Sequence, residues 1–327
     1  MNTPGWVWLV TVAGLTAVIV FDFYLVSRNP RKPSMRECTT WVACYVGLAV
    51  LFGLGVLILA GPQYGGEFFA GWVTEYSLSV DNLFVFVIIM STFSVPKQFQ
   101  QKVLSIGIVL ALIMRGAFIA VGAQAISRFD WLFYVFGAFL VFTAWKLVRH
   151  QDDDEEEFKE NAVLRVVKRF LPATDSYDGA RITTRVGGRK LVTPMLIVMV
   201  AIGTTDLLFA LDSIPAIFGL TKEPYLVFTA NAFALMGLRQ LFFLIGGLLD
   251  KLVYLSKGLA VVLAFIGVKL VFEAMHHDGV AWAPQIPILL SLGIIVGTLA
   301  VTTVVSLMKV RKDARQTEPE SETVGAG

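Results

Sequence analysis

Apolar residues in this chain come in long blocks, without the short alternation of strands. Nine blocks are long enough to cross a hydrocarbon core of about 30 Å as helices. They run near 6–26, 38–60, 68–93, 103–126, 131–149, 192–219, 225–249, 258–275 and 286–308. Polar breaks between them are short, except for one stretch from about 150 to 191. The pattern predicts an all-α polytopic membrane helix bundle of about nine spans. It divides into spans 1 and 2 (1–66), three spans (67–149), a charged loop (150–191), three more spans (192–276), a last span (277–312) and a polar tail (313–327).

Composition agrees with the pattern. Of 327 residues, 56% are hydrophobic and only 16% charged, and the mean hydropathy is +0.71, far from an ordinary soluble domain. The first block, Trp6 to Val26, lacks the leading basic residues and small-residue cleavage site of a signal peptide, so it reads as a retained span.

The net charge of +2 says little; the placement of Lys and Arg says more. With the N-terminus outside, the inner side would hold Arg28, Arg31, Lys32, Arg36, Lys97, Lys102, the basic residues between 149 and 190, Lys251, Lys257, Lys309, Arg311, Lys312 and Arg315. The outer loops would hold only Arg128 and Lys222. This bias predicts an outside N-terminus and a cytoplasmic C-terminus in a multi-pass plasma (inner) membrane protein.

The 150–191 loop opens on the acidic run Asp152 to Glu157 and continues into a basic part. Phe158 to Leu171 has apolar residues at helical spacing, which predicts a short interfacial helix, and the acidic run reads as a solvated linker. The tail is polar enough to be disordered. Cys38 and Cys44 lie six apart on one predicted helix, about 120° apart in direction, which supports neither a disulfide nor a thiolate metal pair.

Acids inside the apolar blocks change the picture most. Glu75, Asp81, Asp206 and Asp212 sit in two spans, and a charged side chain near the bilayer centre costs roughly 2.5–3.5 kcal/mol on insertion scales. They also recur in order. Thr74-Glu75 through Asp81-Asn82 aligns with Thr205-Asp206 through Asp212-Ser213. Arg115 then corresponds to Arg239, and Phe142 to Val148, with Lys146, corresponds to Phe265 to Val271, with Lys269. Each three-span unit thus carries acid pair, Arg and Lys. Because three is odd and the joining loop stays on one side, the second unit must be inverted relative to the first. In such inverted repeats substrate sites lie near the midplane, often on broken helices.

Carboxylates, a carboxamide and hydroxyls are hard oxygen donors, suited to Mg²⁺, Ca²⁺ or Mn²⁺. The preferred donor set is Asp81 and Asp212 with Asn82 and Ser213, and Glu75 and Asp206 as further ligands or proton carriers. Residues six apart on a regular helix cannot all face one ion. Either a helix breaks or the two spans share ligands, and Pro215 and Gly203-Thr204-Thr205 are places where the sixth span could unwind. Arg115 and Arg239 are candidates for pairing with the carboxylates, or for structural ion pairs. Lys146 reads as a snorkelling side chain, and Lys269 with Glu273 as a same-helix pair. Asn231 is a weaker candidate, and His276-His277-Asp278 reads as a loop. No GxxxxGK[ST], HExxH or GxSxG pattern appears, and no nucleophile and base pairing stands out, so no enzyme, permanent cofactor or nucleic-acid role is expected.

The segments Glu75 to Phe86 and Thr204 to Ala216 closely resemble the two signature segments of the TerC family of integral membrane proteins, and the likeness runs from about residue 6 to 308. That family is associated by name with tellurium resistance, and several bacterial members with manganese export. The resemblance implies that the chain moves Mn²⁺ out of the cytoplasm with the motif acids as metal ligands. Other readings use the same residues differently: an exchanger of Ca²⁺ or another divalent cation, or a non-transporting membrane scaffold in metal or tellurite stress with a protein partner on the 150–191 loop.

Overall fold

The computed structural model describes residues 3–28, 33–126, 128–129, 131–149, 174, 177–179, 181–186, 189–245, 254–280 and 282–317. The predicted interfacial helix at 158–171 and the tail beyond 317 lie outside these residues. Ten helices are present among them: α1 (Gly5–Arg28), α2 (Met35–Ala60), α3 (Pro62–Thr92), α4 (Lys97–Ile126), α5 (Leu132–Arg149), α6 (Pro194–Phe218), α7 (Pro224–Leu235), α8 (Leu238–Ile245), α9 (Leu255–His277) and α10 (Ile288–Thr317). With α7 and α8 taken together, nine segments among the described residues are long and apolar enough to cross a membrane. The fold is all-α in these spans, as the length of the apolar blocks predicts.

Local sequence sets the helix ends. Ser34 caps α2 by accepting a 3.2 Å hydrogen bond from the Glu37 backbone N–H, with Glu37 in the first turn completing the Ser-x-x-Glu pattern. Pro62, Pro194 and Pro224 open α3, α6 and α7, where the missing N–H costs nothing. Between α2 and α3 a single residue, Gly61 at φ 104°, reverses the chain. Gly65 then packs so closely that an added Cβ would lie 2.6 Å from the Leu57 Cβ.

Burial separates an inner group of helices from an outer one. The α7–α8 segment is 89% buried across its apolar window, whereas the first span is 6% buried. Leu9, Leu51, Ile58, Leu59, Leu289 and Met308, on α1, α2 and α10, are exposed apolar side chains, as expected of a lipid-facing shell. Inside it, α3 lies against α6 and α7, α4 against α6, and α5 against α9. The α5–α9 crossing is close: a Cβ on Gly267 would lie 2.8 Å from the Gly137 carbonyl oxygen. Small residues let helix backbones approach this way in membranes.

Two features depart from expectation. The sixth span does not unwind: α6 is continuous from Pro194 to Phe218, with Pro215 inside it. Pro215 falls in the last turn, where the loss of one N–H donor does not interrupt the ladder above it. The break comes instead in the seventh span, between α7 and α8, where Met236 is extended (ψ 129°) and Gly237 adopts φ 88°. Also, the end of the 150–191 loop forms an antiparallel hairpin of β1 (Thr183–Val186) and β2 (Arg189–Val192), with Val186 opposite Arg189. Gly187-Gly188 between them is a hairpin signal in the sequence.

Candidate functional site

Glu75 of α3 and Asp206 of α6 are brought together by a residue of a third helix. Arg115, on α4, is 1% exposed, and Glu75, on α3, is fully buried. The Arg115 Nη1 pairs with the Glu75 Oε1. The same guanidinium forks onto Asp206 of α6, Nε donating to Oδ2 and Nη2 to Oδ1, both at 3.2 Å. Nη1 also donates to the Ser213 Oγ at 3.2 Å. One cation thus joins an acid of the first three-span unit to an acid and a hydroxyl of the second. Glu75 and Asp206 occupy matching positions of the two motifs, so the arrangement ties the units together at their corresponding points.

On α3 and α7 several buried polar atoms make no hydrogen bond in the structure: the Glu75 Oε2, Thr74 Oγ1 and Ser79 Oγ of α3, and both amide atoms of Asn231 on α7. Unsatisfied polar groups are costly in an apolar interior, so their concentration on two adjacent helices marks a place where a polar ligand gains most. Asn82 is half-buried and Thr205 is buried. Asp81 lies on α3 and Asp212 on α6, but their side chains fall outside the described residues. Among the described residues no group of three or more His, Cys, Asp or Glu side chains is placed to hold a metal ion.

Arg239 behaves differently from its sequence counterpart. It follows the α7–α8 break and reaches away from the central acids: Nη2 donates to the Asp22 Oδ1 of α1 at 2.7 Å and Nη1 to the Ser105 Oγ of α4 at 3.3 Å. The Gln240 Nε2 also donates to the Asp22 Oδ1, at 3.2 Å. The repeat therefore matches in sequence at Arg115 and Arg239 while their partners differ, because Asp22 comes from α1, a helix that belongs to neither unit. Asp22 escaped the sequence reading, although it meets the same criterion as Glu75: an acid inside an apolar block.

A second polar region lies at the end of the bundle where α3 begins and α6 finishes. A cavity of about 640 Å³ is lined by Gln63, Glu67, Thr221, Lys222, Lys269 and Glu273, among others. Glu67 accepts from the Thr221 Oγ1 at 2.6 Å and from the Gln63 Nε2 at 3.1 Å. Glu273 pairs with Lys222 at 2.9 Å, and Lys269, one turn away from Glu273 on the same helix, lines the same cavity. Lys222 lies in the turn between α6 and α7, a contact that spacing along one helix does not reveal. Lys269 is buried, whereas its counterpart Lys146 is exposed. In the segment after α9, Asp278 accepts from the Tyr134 Oη at 2.7 Å. Cys38 is buried and Cys44 exposed, both unpaired.

Nine apolar spans among the described residues, with charges joined in their interior, define an integral membrane protein. The chain belongs to the TerC family: the family described as Integral membrane protein TerC family matches residues 60–314. An uncharacterized membrane protein of Mycobacterium tuberculosis is 44% identical over 326 residues, covering 96% of this chain and 82% of that protein. The chloroplastic thylakoid membrane protein TERC of Arabidopsis thaliana is 41% identical over 256 residues, 78% of this chain and 66% of its own length. A candidate membrane-bound redox modulator of Escherichia coli, Alx, is 34% identical over 331 residues, 97% of this chain and all of that protein. No solved structure matches the chain.

Proposed function

We propose that this chain carries a hard divalent cation, Mn²⁺ foremost, out of the cytoplasm, with protons returning to the same carboxylates. The observation that carries the reading is the convergence of Glu75 and Asp206, from the two sequence repeats, on one buried guanidinium. Acids kept inside a membrane bundle mark ion or proton paths more often than they build structure. The donors available are carboxylate, carboxamide and hydroxyl oxygens, which fit a hard cation. Arg115 balances the acids when no metal is present, and an arriving cation replaces it. Asp81, Asp212, Asn82 and Ser213, one turn or two further along the same helices, complete the donor set.

Support for an inverted two-fold relation comes from the packing. Exchanging the units turns the α4 on α6 contact into the α7 on α3 contact and maps the α5 on α9 crossing onto itself. The Lys and Arg distribution favours an outside N-terminus in the plasma membrane, which would make the cavity beside Glu67 an outer vestibule. The loop at 150–191 is the natural place for a protein partner. The redox role in the name of the Escherichia coli relative suggests a thiol-based reading. It is not favoured here, because Cys38 and Cys44 point apart on one helix.

Reconstituted vesicles test the proposal. Mn²⁺ flux is expected for the wild type and a fall of at least about tenfold for Asp81→Asn or Asp212→Asn, the order seen when metal sites lose supporting groups. Unchanged flux in both variants rejects the site, and flux that survives collapse of the proton gradient rejects proton antiport alone.

A further inference from the structure

On the outer face of the bundle, α9 and α10 enclose a groove of about 650 Å³ whose walls include Gly258, Val261, Gly293, Gly297, Thr298 and Val301. The two helices are pinned at one end, where the Tyr254 backbone N–H donates to the Ser306 Oγ at 3.0 Å. There too Gly258 abuts Thr302, whose Oγ1 would lie 2.5 Å from an added Cβ. Farther along, nothing lies within 4 Å of a Cβ built on Gly293 or Gly297, so the groove stays open. From Gly293 to Val305 it extends about 18 Å at the helical rise.

The pinned end of the groove is positively charged. The Lys257 Nζ lies 5.5 Å and the Lys309 Nζ 5.2 Å from the centroid of the same Tyr254 ring. Both lysines are exposed, and among the described residues neither pairs with a carboxylate. The N-terminus of α9, a 23-residue helix, begins at the same place and adds its partial positive charge. Two ammonium groups drawn to one ring beside a helix N-terminus repel each other unless an anion lies between them. An apolar furrow ending in such a cluster at membrane depth has the chemistry of a bound anionic lipid.

We propose that this groove holds an anionic phospholipid, its phosphate at Lys257 and Lys309 and one acyl chain laid along the glycines. The inference does not depend on metal transport. A second copy of the chain is the competing occupant, since Gly293 and Gly297 form a small-xxx-small pair of the kind that joins membrane helices. Charge disfavours it. A two-fold axis along the membrane normal keeps identical residues at equal depth, so a dimer through these glycines would bring both lysine clusters to the same level.

Native mass spectrometry of the full chain in neutral detergent, titrated with phosphatidylglycerol or phosphatidylcholine, tests this. Wild type is expected to retain phosphatidylglycerol on the order of tenfold more tightly. Lys257→Gln with Lys309→Gln, both at exposed positions, should bring it to the level of phosphatidylcholine, and Gly297→Leu should weaken both lipids by filling the groove. Equal retention of the two lipids by wild type, or an unchanged preference in the double lysine variant, overturns the proposal. So does a dimer that Gly297→Leu dissolves, or inorganic phosphate binding as tightly as the lipid.

Discussion

Replacing Arg115 by Met is expected to destabilise the protein by about 3–5 kcal/mol, the cost of removing one partner from a buried ion pair. Here the loss falls on two acids at once. Glu75 is fully buried, Asp206 is nearly so, and the guanidinium is 1% exposed, so water cannot replace what is lost. Adding Glu75→Gln and Asp206→Asn removes the uncompensated charge and should restore much of the stability, since an apolar or neutral substitute for a complete buried ion network is often neutral or better. Unfolding midpoints in mixed micelles read both effects. An Arg115→Met variant as stable as the wild type would mean that the Arg115 cluster is not buried in the protein as it exists in detergent.

Gly267→Leu is the second large effect expected. At the α5–α9 crossing an added Cβ on Gly267 would meet the Gly137 carbonyl oxygen at 2.8 Å, the Val141 Cγ2 at 2.9 Å and the Leu140 Cβ at 3.1 Å. The first of these is backbone, which cannot rotate away. Even Gly267→Ala should cost about 1–3 kcal/mol, the usual penalty of overpacking, and Leu more. Gly293→Ala, with nothing within 4 Å of the new Cβ, serves as the control and should leave the midpoint unchanged. Equal midpoints for Gly267→Ala and Gly293→Ala would show that the two helices do not cross as described.

Sequence revealed these features unequally. The spans were legible because a bilayer imposes a length and a composition on each of them, a constraint strong enough to survive without any knowledge of packing. Glu75, Asp206 and Arg115 stood out for the same reason: each is an expensive charge in an apolar block, and the repeat gave each a counterpart. That an intramembrane Arg could pair with these acids was legible too; which of the two Arg residues does so was not. That Arg115 bridges the two units whereas Arg239 turns to Asp22 depends on where α1 docks, and no local pattern encodes the placement of a helix that belongs to neither unit.

The helix break shows a related limit. Pro215 and the Gly203-Thr204-Thr205 run drew attention to the sixth span because proline and glycine weaken helices wherever they occur. Position decided otherwise, since Pro215 sits in a final turn and is tolerated. The residue that interrupts a span is Gly237, one glycine among 28, whose positive φ is set by the fold around it. Likewise the ion pair of Glu273 with Lys222 joins a helix to a distant turn, whereas Lys269, the partner that helical spacing suggested, lines the same cavity.

Central to the proposed function is that carboxylates from the two halves form a place for a hard divalent cation. The most direct measurement is the shift in unfolding midpoint of purified protein on titration with Mn²⁺, compared between wild type and Asp206→Asn. A ligand at about a hundred times its Kd stabilises by roughly 2.7 kcal/mol, so wild type should become more stable in a saturable manner while Asp206→Asn gains little. An equal gain in both proteins, or none in wild type, would contradict a cation site shared by the two halves.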